Sequence, residues 1–61
     1  MENKEVKEKI WRVYDELVKR ENKNADIYIN LNPGDSVRRE AMREQAVYSL
    51  YSFAATLADM F

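Results

Sequence analysis

The 61-residue chain has no cysteine and no histidine, and it has only one glycine and one proline. Without cysteine the chain forms no disulfide bond, and without either residue it lacks the usual ligands of structural zinc sites. A single glycine excludes a glycine-rich phosphate loop, and the lack of histidine removes the most common general base. Small domains without these staples usually gain stability by oligomerisation.

Charge of one sign is also lacking, since ten lysines and arginines balance eleven acidic residues. This balance removes the general electrostatic argument for nucleic acid or an anionic membrane as partner. The serines and threonines have no base nearby, and we therefore predict no enzymatic activity, no metal site and no cofactor. The segment MENKEVKEK is charged and is not followed by an apolar run, so we expect a cytoplasmic protein without a signal peptide.

The most informative stretch that is present is residues 46–61, AVYSLYSFAATLADMF, in which twelve of sixteen residues are apolar. On a helix the polar residues of this region form one strip roughly 80° wide. The strip consists of Gln45, Ser49, Ser52, Thr56 and Asp59. The stretch is shorter than the ~20 residues that a membrane span needs. Most of the helix surface therefore has to be buried against other helices, and one neighbour is not enough.

A first helix is predicted at about residues 3–23, where apolar residues recur every three or four positions. This first line consists of Val6, Ile10, Val13 and Leu17. A second line, formed by Trp11, Tyr14 and Val18, widens the apolar arc to about 160°. Acidic residues four positions before basic ones support the exposed side of this helix. An arc this wide again predicts more than one neighbouring helix.

Residues 24–34 are rich in asparagine and aspartate, which compete with the backbone for hydrogen bonds, and we expect an extended connection there. Ile27, Ile29 and Leu31 alternate with polar residues, so a strand paired across a dimer axis is the alternative. Asn32 and Pro33 suit the N-cap and the first position of the next helix; otherwise Asp35 or Ser36 provides the cap.

A second helix is predicted at about residues 35–60, with two seams of residues spaced four and three apart. One seam consists of Arg39, Arg43, Ala46, Leu50, Phe53, Leu57 and Met60. The other consists of Val37, Ala41, Glu44, Tyr48, Tyr51, Ala55 and Ala58. The small residues of the second seam permit close approach of another subunit. The oligomer interface is accordingly predicted at Trp11, Tyr14, Val18, Tyr51, Ala55 and Ala58.

The sequence thus predicts one all-α domain, residues 1–61, folded as a two-helix antiparallel hairpin that assembles into a homo-oligomeric helical bundle. Arginines are the anomaly, because Arg39 and Arg43 hold core-type positions and Arg38 and Arg39 lie where the helix dipole disfavours cations. In one interpretation their stems cover apolar surface and their heads reach water. In the other they bind an anion, with Arg38, Arg39, Arg43 and Tyr48 as ligand-binding residues.

Two resemblances bear on function. The layout resembles the helical-hairpin dimers of plasmid copy-number regulators, which bind RNA loops, although the RNA-binding stripe on the first helix is absent here. The pair Arg39-Glu40 is similar to a short motif that opens the second helix of phage hairpin proteins, which form oligomers and sequester cyclic nucleotides. This second resemblance implies an anionic small molecule, such as a nucleotide, at a subunit interface.

Three functions therefore compete. A regulator or inhibitor that binds a protein partner comes first, because small hairpins with two apolar seams bury surface by association. A sequestering protein for an anionic nucleotide comes second, and an RNA-binding hairpin comes third. Nucleic acid is the least favoured partner because neither helix carries an uninterrupted basic stripe.

Overall fold

The computed structural model describes residues 2–61 and consists of two long helices joined by a short turn. Helix α1 spans Glu2–Leu31, a single 3₁₀ turn spans Pro33–Asp35, and helix α2 spans Ser36–Asp59. The helices are antiparallel, since Glu21 of α1 contacts Arg39 near the start of α2 and Trp11 contacts Tyr51 further along. The predicted all-α hairpin is confirmed, and residues 2–61 contain no strand.

Helix α1 has 30 residues, about nine more than the helix predicted at residues 3–23, and the prediction of an extended connection at residues 24–34 was wrong. The strand alternative fails with it, because residues 24–31 are helical. Ala25 is completely buried against α2, and Tyr28 and Ile29 are half-buried at helical spacing from it. Packing of this face outweighs the low helix propensity of the asparagines. The alternation of Ile27, Ile29 and Leu31 was misleading, since Ile27 and Leu31 lie on the exposed side.

The turn is formed mainly by Asn32. Its backbone N–H donates to the carbonyl oxygens of Tyr28 at 2.8 Å and Ile29 at 3.2 Å, and its side-chain amide donates to Tyr28 at 3.0 Å. Asn32 therefore ends α1, while Pro33 opens the 3₁₀ turn as its fixed φ favours. Asp35 is at the N-cap position of α2, but its carboxylate bonds other side chains and makes no cap hydrogen bond.

The interface between the helices is narrow and is built on small residues. Among residues 2–61 the buried hydrophobic residues are Ala25, Ala54 and Ala58, and no large side chain is fully buried. On α2, Ala54 lies between the two predicted seams, with Leu50 on one side and Tyr51 on the other. Helix α1 therefore covers only the inner edge of each seam. The outer edges remain open in the single chain.

The polar strip of α2 is exposed. Gln45, Ser49, Ser52, Thr56 and Asp59 are all exposed. The hairpin therefore has a polar back on α2 and two apolar faces, one on each side of the helix contact. Within residues 2–61, neither helix has a stretch that is long and apolar enough to cross a membrane.

Candidate interaction surfaces and the loop-end cluster

An open groove of about 270 Å³ follows one side of the hairpin and is lined almost entirely by apolar side chains. We call this side the groove face and define it by Val6, Ile10, Val13, Leu17, Leu50, Phe53 and Leu57. Val13 is 58% exposed and Phe53 is 70% exposed, and Lys9 lies at the rim. Apolar surface this concentrated on a small protein is typical of an interaction site.

A group of aromatic rings extends from Tyr14, which also lines the groove, to the opposite side of the hairpin. The ring of Trp11 lies 5.5 Å from Tyr14 and 5.7 Å from Tyr51, and Tyr14 lies 6.0 Å from Tyr51. The Trp11–Tyr14 and Tyr14–Tyr51 pairs meet edge to face, which is a favoured arrangement for aromatic pairs. We define the aromatic face by Trp11, Val18, Tyr48, Tyr51 and Ala55.

The predicted oligomer interface falls largely on this aromatic face. Within one chain Trp11, Tyr14 and Tyr51 already contact each other across the helices, and Ala58 is already buried against α1. Tyr51 nevertheless remains 53% exposed. The assignment of this face to a second subunit stays a prediction.

The arginines lie at the loop end of the hairpin, where they pair with acids and amides. Arg39 donates to Glu21 at 2.8 Å across the two helices, and both side chains are mostly buried, with exposures of 14% and 21%. Arg43 donates to Glu40 at 2.6 Å and to Asn22 on α1 at 3.1 Å. Glu40 raises the pKa of Arg43 through these contacts. The interpretation in which the arginine head groups reach water is therefore wrong for Arg39.

Arg38 forms a second group with Tyr28 and Asp35. The Tyr28 hydroxyl donates to Asp35 at 2.6 Å, and the Arg38 guanidinium donates to both carboxylate oxygens of Asp35, at 2.9 and 2.7 Å. Arg38 and then Tyr28 lower the pKa of Asp35 to about 2 by these hydrogen bonds. The same carboxylate raises the pKa of Arg38. We use the name loop-end cluster for Glu21, Asn22, Tyr28, Asp35, Arg38, Arg39, Glu40 and Arg43.

The predicted ligand-binding residues are divided by the fold. Arg39 and Arg43 face α1, whereas Arg38 and Tyr48 line a shallow depression on α2 together with Met42. An anion at either place has to compete with a carboxylate that already accepts hydrogen bonds from the arginine. Among the described residues, no three acidic side chains are arranged so that they could hold a metal ion.

Sequence reasoning did not identify Asn22 and Tyr28 of α1 as partners in this cluster. Tyr14, Glu21 and Tyr28 are seven residues apart and therefore lie on the same side of one long helix. That signal appears only if α1 continues to Leu31, and the asparagine-rich composition argued against this continuation.

Comparison of the chain with protein-family models, with curated proteins and with solved structures found no match.

Proposed function

We propose that the protein is a cytoplasmic, non-enzymatic interaction protein that forms a homo-oligomer of helical hairpins and regulates or inhibits a protein partner by binding it. One observation carries this proposal. The hairpin exposes large apolar side chains on two faces, while residues 2–61 bury no large side chain completely. Such a chain gains most of its stability from surfaces that it buries in contact with other chains.

Two apolar faces allow two different contacts at once. A second copy on one face completes the helix packing that a single hairpin lacks. The other face then remains available, and its aromatic residues are of the kind enriched in protein interfaces. Regulation or inhibition by occupation of a partner surface needs no catalytic group, which fits the chemical inventory of the chain.

Native mass spectrometry of the protein isolated from its own cells tests this proposal. We expect complexes that contain at least two copies of the chain and a second protein in fixed stoichiometry. The Tyr48→Gln variant should lose the second protein and keep the homo-oligomer, because Tyr48 is 71% exposed on the aromatic face. Retention of a nucleotide or RNA instead of a protein would overturn the proposal.

A second candidate function is the binding of an anionic small molecule such as a nucleotide. Its specific support is the part-buried group of Arg39, Arg43, Glu21 and Asn22 within an otherwise apolar helix contact. Buried ion pairs are often less stable than apolar packing, so this group is better explained by a function than by stability. A subunit that covers the loop end would bring further donors to these arginines.

Calorimetric titration with mono-, di- and cyclic nucleotides tests the second candidate. Binding by the wild type that is lost in the Arg39→Lys, Arg43→Lys variant would support it, because lysine cannot reproduce the bidentate contact of arginine. No binding by the wild type would leave the protein-partner proposal alone.

A further inference from the structure

We propose that a second copy of this chain covers the groove face, in an antiparallel two-fold dimer that packs α1 on α1 and α2 on α2 of the partner subunit. The inference rests on the proposed homo-oligomer and adds its face, orientation and register. It differs from the sequence-based prediction, which placed subunit contacts on the aromatic face.

Apolar packing provides the first argument. On α1 the apolar residues of the groove face are confined to the half away from the loop, between Val6 and Leu17. Towards the loop the apolar line is interrupted by Arg20 and Asn24, and exposed apolar side chains return only at Ile27 and Leu31. An antiparallel partner centred on this half buries apolar residues against apolar residues. A partner aligned over the whole helix would instead place Ile10 and Val13 against the stretch that carries Arg20 and Asn24.

Charge provides an independent second argument. Lys9, Glu16 and Lys23 are exposed, seven residues apart and alternate in sign along the edge of this apolar seam. In an antiparallel pair of helices each such edge meets the same edge of the partner. Lys9 then lies level with Glu16 of the partner subunit, and the reverse pair forms by symmetry. The charge pattern is therefore complementary to itself in the antiparallel orientation.

The charges alone allow two registers, with Glu16 level with either Lys9 or Lys23 of the partner subunit, and the apolar segment selects the first. Pairing of Lys9 with Glu16 of the partner subunit centres the contact between Arg12 and Val13. The apolar segment from Val6 to Leu17 is centred one residue earlier, between Trp11 and Arg12. Neither pattern depends on the other, so their agreement favours a second copy as the occupant over an unrelated protein.

The available area is sufficient for such a dimer. In this register residues 2–23 of α1 overlap, which is about 33 Å at about 1.5 Å per residue. The hairpin measures 49 × 15 × 7 Å, so a side 15 Å wide gives about 500 Å² per chain, or about 1,000 Å² in total, the least that a specific interface needs. Exposed Val13 and Phe53 lie near the middle of the contact, where interface residues contribute most to affinity.

Charge reversal tests the orientation and register. We expect Lys9→Glu and Glu16→Lys each to weaken homodimerisation by about tenfold at low ionic strength, because each variant places two like-charged pairs across the axis. A mixture of the two variants should form heterodimers at least as tightly as the wild type, because every pair is then opposite in sign. Native mass spectrometry with one variant labelled with ¹⁵N identifies the heterodimer, and sedimentation equilibrium gives the dissociation constants.

A matched pair of polar substitutions tests the face. Phe53 and Tyr48 are 70% and 71% exposed in the single chain but lie on the groove face and the aromatic face, respectively. Phe53→Gln should weaken self-association by at least about tenfold, and Tyr48→Gln should leave it unchanged. Since both side chains are exposed to the same extent, loss of contacts within the chain does not explain a difference.

The outcomes separate this inference from the proposed function. Loss of dimers in Tyr48→Gln but not in Phe53→Gln would overturn the groove face and support the aromatic face, with the homo-oligomer intact. Equal dimerisation of both charge-reversal variants and the wild type would overturn the antiparallel register alone. A wild type that is monomeric throughout would overturn both this inference and the homo-oligomer in the proposed function.

Discussion

Charged side chains at the loop end replace the apolar residues that the helix seams would otherwise place there. The contact between Arg39 and Glu21 is the least exposed of them and joins the two helices at 2.8 Å. By contrast, Lys19 and Glu16 are 3.7 Å apart with side chains that are 75% and 72% exposed. Burial removes water from the first pair, so loss of one partner is costly there and nearly neutral in the second pair.

A double-substitution cycle checks this difference. Glu21→Leu or Arg39→Met alone should lower the free energy of unfolding by about 1 to 3 kcal/mol, because each leaves an unpaired, largely buried charge. The double variant should be within about 1 kcal/mol of the wild type or more stable. The same cycle at Glu16 and Lys19 should show a coupling below about 0.5 kcal/mol. Equal couplings from urea denaturation would contradict the burial of the first pair.

The Asp35 carboxylate predicts a defined acid sensitivity. Its pKa is about 2 in the folded chain against an ordinary value of 3.8, so the ionised form stabilises the fold. This contribution is complete above about pH 4 and is lost as the pH falls through the folded-state value near 2. The melting temperature of the wild type should therefore exceed that of Asp35→Asn by a constant amount above pH 5, and the difference should shrink between pH 4 and 2. The Asp15→Asn variant is the control, because it leaves the loop-end contacts unchanged. A difference in melting temperature between the wild type and Asp35→Asn that is the same at all pH values would contradict the prediction.

At the scale of the helices, hydrophobic periodicity predicted helical structure correctly, whereas the asparagine-rich composition of residues 24–31 was misleading. Val6 to Leu17 and the polar strip of α2 repeat at helical spacing over several turns, and the structure confirms both as helical. The prediction for residues 24–31 was wrong because their asparagines disfavour a helix locally, whereas the contact that decides the conformation is that of Ala25 with α2. A contact between residues distant in sequence cannot be read from local propensity.

The long α1 can be tested by changing propensity without changing contacts. Asn24 and Asn30 are exposed within the helix, so Asn24→Ala and Asn30→Ala should each raise the free energy of unfolding by about 0.5 kcal/mol. Asn32→Ala should instead lower it, because the Asn32 amide donates to the carbonyl oxygen of Tyr28 at the helix end. Thermal denaturation followed by circular dichroism gives the values. No gain from the first two substitutions would indicate that residues 24–31 are not helical in solution.

The candidate site was predictable in part for a related reason. The spacing of Arg39 and Arg43 identified them as misplaced on a helix seam, and the structure places Arg39 against α1 as that position implies. The pairing of Arg43 with Asn22 could not be predicted, because it depends on how α1 and α2 are aligned, and that alignment depends on the turn whose position the sequence misjudged. The seams of α2 predicted two apolar faces. The line of α2 residues that contacts α1 was not predictable from the seams, because it depends on which alanine permits the closest approach of the helices.

At the scale of the whole molecule, the main feature is a shortage of buried side chains. A hairpin 49 Å long and 7 Å thick has two broad sides and almost no interior. Ala25, Ala54 and Ala58 bring the helices close together, but alanine buries little apolar area. The residues able to supply more, such as Phe53, remain mostly exposed in the single chain. Folding is therefore expected to depend on association.

Coupling of folding to association predicts a melting temperature that depends on protein concentration. For a dimer, a hundredfold increase in concentration favours the folded state by about 2.7 kcal/mol, which raises the melting temperature by about 10 °C for a folding unit of two such chains. Calorimetry and circular dichroism over that range measure the shift, with light scattering for the mass. A constant melting temperature together with a monomer mass would mean that three alanines and half-buried flanking residues are enough to stabilise the hairpin. In that case the two apolar faces would both be free for other partners.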